Sequence, residues 1–284
     1  MSNFWARTIT GLSMVFVLLA ALVLGGWIFA GIFLIITLFG LWEFYGLITS
    51  ESCHPQKIYG IISGGVFYIT FTIFQFTKVF YDIKFWPLFL LLPFLLLIPI
   101  IFFSFIVEIY RKKTNPLINI STTLIGILYI ALPLSLLNFF SGNTNFTFHG
   151  LPEILVGYFV LTWFYDTAAY LFGKQFGKHK FFERISPKKT WEGTIAGGLI
   201  TLITAFGLSY LFLDIQLSDW MVVAAIVLLF GTHGDLAESL IKRSLNVKDS
   251  GSILPGHGGI LDRFDTILIS APFVFLYFFL RDAI

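Results

Sequence analysis

Apolar residues fall in long unbroken blocks along this chain, and polar residues are confined to short stretches between them. A helix needs about 20 mostly apolar residues to cross a bilayer. Nine blocks approach that length, at 8–24, 27–48, 59–77, 86–108, 117–139, 153–172, 194–213, 219–239 and 264–280. They lack the period-2 alternation of barrel strands, so the pattern predicts helices. The expected fold class is an all-α polytopic integral membrane protein of about nine transmembrane helices. Pro93, Pro99 and Pro133 fall inside the fourth and fifth blocks, where kinks are expected. The first block follows Arg7 as a signal peptide would, but it lacks a clear small-x-small cleavage site and runs straight into the second. It is expected to be an uncleaved span.

Composition agrees with the pattern. The 284 residues are 57% hydrophobic and 12% charged, against about 25% charged in a soluble domain. The net charge of +2 says little about partners; its distribution says more. With the N-terminus on one side and nine spans alternating, that side carries 15 of the 18 Lys and Arg residues, and only Lys78, Lys84 and Arg281 fall on the other. The positive-inside rule makes the rich side, and the N-terminus, cytoplasmic. Trp5, Trp27, Trp42, Trp86, Trp191 and Trp220 fall near span ends, as interfacial anchors should; Trp163 lies inside the sixth span. Cys53 is the one cysteine, which excludes an intrachain disulfide and disfavours a cysteine metal site.

Ionisable residues inside spans are costly and usually functional. The sixth span, LTWFYDTAAYLFG, carries Asp166. The eighth, LLFGTHGDLAESLIKRS, carries His233, Asp235, Glu238 and Ser239. Structural roles compete: Asp166 as an interhelical hydrogen bonder, Glu238 as the i,i+4 partner of Lys242. Asp235 has no cation within a helical turn except His233. The ninth span opens with PGHGGILDRFD, where Asp262 and Asp265 are three apart and share one helix face. Capping explains them in part, with Asp262 at the N-cap and Asp265 at N3. Two neighbouring carboxylates also repel unless a cation stands between them, and Mg²⁺ takes such oxygens together with substrate phosphates. Asp235 could supply a third carboxylate. The adjacent glycines permit close backbone approach to a phosphate. Two cytoplasmic loops, GKQFGKHKFFERISPKKTWEG and IKRSLNVKDSGSILPGHGGILDR, supply the cations. Topology alone can explain their lysines but not the glycines and aspartates. The inventory suits an Mg²⁺-dependent enzyme acting on a phosphate group at the membrane.

The stretch SLIKRSLNVKDSGSILPGHGGILDRFD resembles the signature of the phosphatidate cytidylyltransferase (CDP-diacylglycerol synthase) family. Ser239, Lys242, Arg243, Lys248, Asp249, Pro255, His257, Gly258, Gly259, Asp262, Arg263 and Asp265 fall in its register; Thr266 stands where a serine is expected. The upstream YDTAAYLFGKQFGKHKF and SPKKTWEG are similar to other shared segments, so the resemblance is strong over roughly 110 residues. It implies transfer of a cytidylyl group from CTP to phosphatidic acid, giving CDP-diacylglycerol and pyrophosphate in phospholipid biosynthesis, with the lipid phosphate oxygen attacking the α-phosphorus directly. It implies Asp235, Asp262 and Asp265 as ligands of Mg²⁺, with K⁺ as a candidate second ion, and Lys242, Arg243, Lys248 and Arg263 as phosphate-holding residues. His257, Gly258 and Gly259 would shape a loop at the nucleotide. Lys188, Lys189, Glu192, Asp166, Ser239 and Asp249 would complete the substrate site. His257 need not be a general base, because a phosphate monoester is already a nucleophile near neutral pH. The family further implies a homodimer in the cell (inner) membrane among membrane lipids, its active site facing the cytoplasm, and no nucleic-acid partner. With no internal repeat or linker, 1–284 is expected to be one membrane unit: N-terminal spans to 150, then catalytic spans and loops over 151–284.

Other readings remain at this level. A CTP-dependent membrane enzyme with an isoprenoid acceptor would need the same metal site. A cation or lipid transporter would spread polar residues near the bilayer midplane, whereas here they cluster on one side. The D-x-x-D-G-x-x-A-R core of the CDP-alcohol phosphotransferases is absent.

Overall fold

A computed structural model describes residues 3–76, 92–142, 147–148, 151–251, 253 and 258–283. Its main helices are α1 (Asn3–Leu24), α2 (Gly26–Ile48), α3 (Lys57–Phe76), α4 (Leu97–Arg111), α5 (Pro116–Ser141), α6 (Glu153–Phe176), α7 (Trp191–Leu211), α8 (Leu217–Ser244) and α9 (Leu261–Ala283). Among the described residues, all but α1 and α4 are long and apolar enough to cross a membrane; the apolar part of α1 is Gly11–Leu24. The fourth expected span begins outside the described residues, and its described part is a short helical turn, Leu92–Leu95, followed by α4. Among the described residues, strand is limited to two small antiparallel pairs, β1 (Thr147–Phe148) with β2 (Leu151–Pro152) and β3 (Lys180–Phe182) with β4 (Ser186–Thr190).

The helices end or widen where the backbone chemistry demands it. The helical run before α4 is interrupted at Leu96. Pro99 has no N–H to offer the Leu95 carbonyl, so the ladder cannot continue there. In α5 a π turn spans Ile127–Ala131, just before Pro133, whose missing N–H would have bonded Tyr129. A second π turn, Val227–Gly231, interrupts α8 without a proline and leads directly into the polar stretch Thr232–Ser244. Thr190 caps α7 by accepting the Gly193 N–H at 3.3 Å.

One buried apolar cluster runs from Leu18 in α1 to Phe278 in α9. Within it α9 packs against α2, α5 and the π turn of α8. The α6–α7 pair is the most extensive helix contact and rests on small residues. A Cβ on Gly193 would stand 2.6 Å from the Ala169 carbonyl oxygen and 2.8 Å from Gly173 Cα. Close approach of backbones is what glycine allows between membrane helices. It brings the C-terminal end of α6 beside the first turn of α7, with the β3–β4 hairpin between them.

Candidate active site

The hairpin, α6 and α8 are joined through Lys189 and Thr232. Lys189 Nζ, at the end of β4, lies 2.8 Å from Asp235 Oδ2 and donates to the Thr232 carbonyl at 3.4 Å. The Tyr165 and Thr232 hydroxyls are hydrogen-bonded to each other. Asp235 also accepts from Ser239 Oγ one turn on, at 3.2 Å. So Asp235 does have a cation partner, but it comes from another segment rather than from its own helix. The hairpin is gripped at its base by Glu192, which accepts the N–H groups of Lys178 (3.1 Å) and His179 (3.2 Å) and pairs with His179 Nδ1 at 2.6 Å.

At the start of α9, Asp262 is held by three donors. Lys242 Nζ is 2.6 Å from Oδ1, and the N–H groups of Gly259 and Ser250 reach Oδ2 at 2.9 and 3.1 Å. The carboxylate thus ties Ser250 and Gly259 to the helix start. Lys242 is also 3.3 Å from Glu238 Oε1, the i,i+4 pair expected from the sequence. Glu238 is buried, neither of its oxygens has a hydrogen-bond partner among the described residues, and Lys242 is the cation beside it. One turn beyond Asp262, Asp265 accepts the Thr266 N–H at 2.7 Å.

The N-cap role that the sequence offered to Asp262 belongs instead to Glu43 of α2. This buried carboxylate accepts from Ile260 N at 2.9 Å, Leu261 N at 3.1 Å and the Ser250 hydroxyl. One donor is the first N–H group of α9 and another is the N–H of the residue just before it, groups with no partner inside the helix. The neighbouring glycines are explained by the same carboxylate. A Cβ on Gly259 would stand 1.9 Å from Glu43 Oε1, and one on Gly251 would stand 2.7 Å from Glu43 Cδ. Gly258 has φ +84°, and a Cβ there would stand 2.6 Å from Asp262 Oδ2. The close approaches made by these glycines are to the protein's own carboxylates. Glu43 was missed in the sequence, although an acid inside an apolar span is the signal that singled out Asp166.

A cavity of about 730 Å³ opens beside these groups and takes in some of them. Asp166, Asp235, Asp262 and Asp265 line it, with Lys174, Lys180, Lys188 and Lys189 and the hydroxyl side chains of Tyr165, Tyr170, Thr194 and Thr266. Lys174 and Lys180 were counted only as loop charges in the sequence. Four carboxylates facing four ammoniums in one cleft suit a polyphosphate held partly through a cation and partly by lysines. The remaining expected residues stand apart from the cavity. Glu192 is taken up by the hairpin base. Ser239 supports Asp235. Arg243 donates to the Val247 carbonyl at 3.1 Å and is exposed, as are Lys248, Asp249 and Arg263. Gly259 is buried and Gly258 half-buried in the loop against Glu43 and Asp262. His257 lies outside the described residues.

Carboxylate oxygens are the donors Mg²⁺ takes, and three of the four converge from α8 and α9. No cluster of three or more candidate ligands stands at metal-holding distances among the described residues. Asp235 and Asp262 instead carry lysine ammoniums where a metal cation would bind. The donors fit the ion in type and in sharing one cavity, and binding it requires those lysines to shift.

Comparison with known proteins follows the same segments. Residues 5–281 match the model of a family described as the cytidylyltransferase family. A protein of Staphylococcus aureus (strain COL) named phosphatidate cytidylyltransferase is 51% identical over 125 residues. Proteins of the same name from Staphylococcus haemolyticus and Staphylococcus saprophyticus are 48% and 46% identical over 125 residues. Each match covers 43% of this chain and 47% of the relative, so the matched part is about half the length of those proteins.

Proposed function

From the premise that the chain belongs to the cytidylyltransferase family, we propose that it is a phosphatidate cytidylyltransferase. In this reading CTP enters the 730 Å³ cavity with its phosphates among Lys174, Lys180, Lys188 and Lys189. A phosphate oxygen of phosphatidic acid attacks the α-phosphorus of CTP. A new P–O bond forms, the bond from the α-phosphorus to the bridging oxygen of the β-phosphate breaks, and pyrophosphate leaves with that electron pair. CDP-diacylglycerol remains in the membrane. No proton need be removed from a phosphate that is already ionised, so the catalytic burden falls on positioning and on charge.

The chain's own groups divide that burden. Lys188 and Lys189 offset charge on the phosphates. Lys242 stands between Glu238 and Asp262 and holds Asp262 in the absence of the ion, and Glu43 fixes the start of α9, from which Asp262 and Asp265 project. Asp235, Asp262 and Asp265 would hold Mg²⁺, which when bound neutralises developing charge on the phosphoryl oxygens. A second ion such as K⁺, a homodimer, and a cytoplasm-facing site in the cell membrane belong to the same proposal. The orientation is supported by the loop charges; the second ion and the dimer rest on the resemblance.

The observation that carries the reading is the convergence of four aspartates and four lysines, drawn from α6, the hairpin, α8 and α9, on one cavity. Protein purified in detergent, given labelled CTP, Mg²⁺ and phosphatidate, is expected to form labelled CDP-diacylglycerol. No product, with or without K⁺, overturns the proposal.

A further inference from the structure

A second cavity, of about 600 Å³, shares Thr194 with the polar one. It is a groove along the first half of α7, where Trp191, Ile195 and Leu199 recur on one face, opposed by Leu228 and Leu229 of α8 and closed at the hairpin end by Phe182. From Trp191 to Leu202 it follows α7 for about 16 Å at the helical rise. Gly198 keeps its floor open. A Cβ at that position would stand 3.0 Å from Leu228 Cδ1.

Two threonines stand where the groove meets the charged cavity. Thr194 belongs to both walls. Thr232 lines the groove, while its carbonyl accepts from Lys189 and its hydroxyl bonds Tyr165, two residues of the polar cavity. The groove itself carries no carboxylate or lysine. Its one ionisable residue, His233, donates from Nδ1 to the Leu229 carbonyl at 2.5 Å and so turns back on its own helix. An apolar channel that meets a phosphate-binding cavity at a pair of threonines matches one kind of molecule: an anionic headgroup on a hydrocarbon chain.

Building on the function proposed above, we infer that this groove holds an acyl chain of the phosphatidate substrate and sets chain-length preference. The phosphate sits among Lys188, Lys189 and the aspartates, the glycerol passes Thr194 and Thr232, and the chain lies against Ile195, Leu199 and Leu229. Leu199 and Leu229 are 58% and 56% exposed, so a larger side chain at either can fill the groove without entering the core.

The test compares Leu199→Trp and Leu229→Trp with the wild-type enzyme on dioleoyl and dihexanoyl phosphatidate. The expected result is a rise of about tenfold in KM for the dioleoyl lipid, from lost burial of a few methylenes, with KM for CTP and for the dihexanoyl lipid unchanged. Equal effects on both lipids, or none, overturn the inference. Independently, phosphatidate carrying a diazirine near the end of one chain should label groove residues of the wild-type protein. Excess dioleoyl phosphatidate should compete and phosphatidylcholine should not; labelling that phosphatidate fails to compete marks ordinary surrounding lipid and sinks the idea. Wild-type protein that makes no CDP-diacylglycerol fails the parent reading and takes the inference with it. Active wild-type with unaltered Trp variants fails the inference alone.

Discussion

Glu43 receives three hydrogen bonds from donors 207 to 218 positions away in sequence. Removing it in Glu43→Ala strands two backbone N–H groups and a hydroxyl in a buried place, at about 1–3 kcal/mol for each left unsatisfied. The expected outcome is a clear fall in melting temperature in detergent and loss of most turnover, with Glu43→Gln recovering part of both. An unchanged melting temperature would contradict the role assigned to this carboxylate. Gly259→Ala should act in the same direction, since its Cβ collides with Glu43. Such a pairing cannot be read from one sequence. The spacing of Asp262 and Asp265 marks a shared helix face, but nothing local tells which carboxylate caps the helix or which glycine makes room for whom. Glu192 shows the converse. The resemblance implies a place at the substrate for it, and in the structure its oxygens accept from the N–H groups of Lys178 and His179 and pair with the His179 ring.

The helices themselves were legible because hydropathy decides them. The expected blocks at 27–48 and 153–172 became Gly26–Ile48 and Glu153–Phe176. The second extends four residues further, through GKQF, where Gly173 lies against Thr190 of the hairpin and the other three side chains are exposed. The π turn at Val227–Gly231 was not legible, since an apolar run reads the same whether each carbonyl meets the fourth or the fifth N–H along. It shifts the register of everything after it, which includes Asp235 and Lys242. At this scale the glycines between α6 and α7 make the firmest prediction. Gly193→Val would press a side chain onto the Ala169 carbonyl and Gly173 Cα, backbone atoms that cannot give way. Overpacking of this kind typically costs about 1–3 kcal/mol, and here it should also displace the hairpin carrying Lys188 and Lys189. Thermal unfolding and turnover should both fall. Wild-type values would mean that the two helices do not approach this closely.

Across the whole molecule, the orientation derived from 15 basic residues on one side against three on the other can be checked with single cysteines. With Cys53 replaced by serine, Arg184→Cys in the hairpin should react with an impermeant maleimide only from the cytoplasmic side, and Ser218→Cys at the start of α8 only from the opposite side. Both positions are exposed; the reverse pattern would invert the topology. The site exists only when the hairpin, α8 and α9 come together, each bringing charge that is costly in an apolar setting unless it is paired. That assembly for Mg²⁺-dependent cytidylyl transfer is the central claim, and Asp265→Asn tests it most directly. Asparagine preserves the shape of the side chain and an oxygen for the Thr266 N–H, and removes the charge. The account predicts that purified Asp265→Asn keeps the wild-type melting temperature within a few degrees and makes no measurable CDP-diacylglycerol from CTP, Mg²⁺ and phosphatidate. Near wild-type turnover by this variant would contradict it.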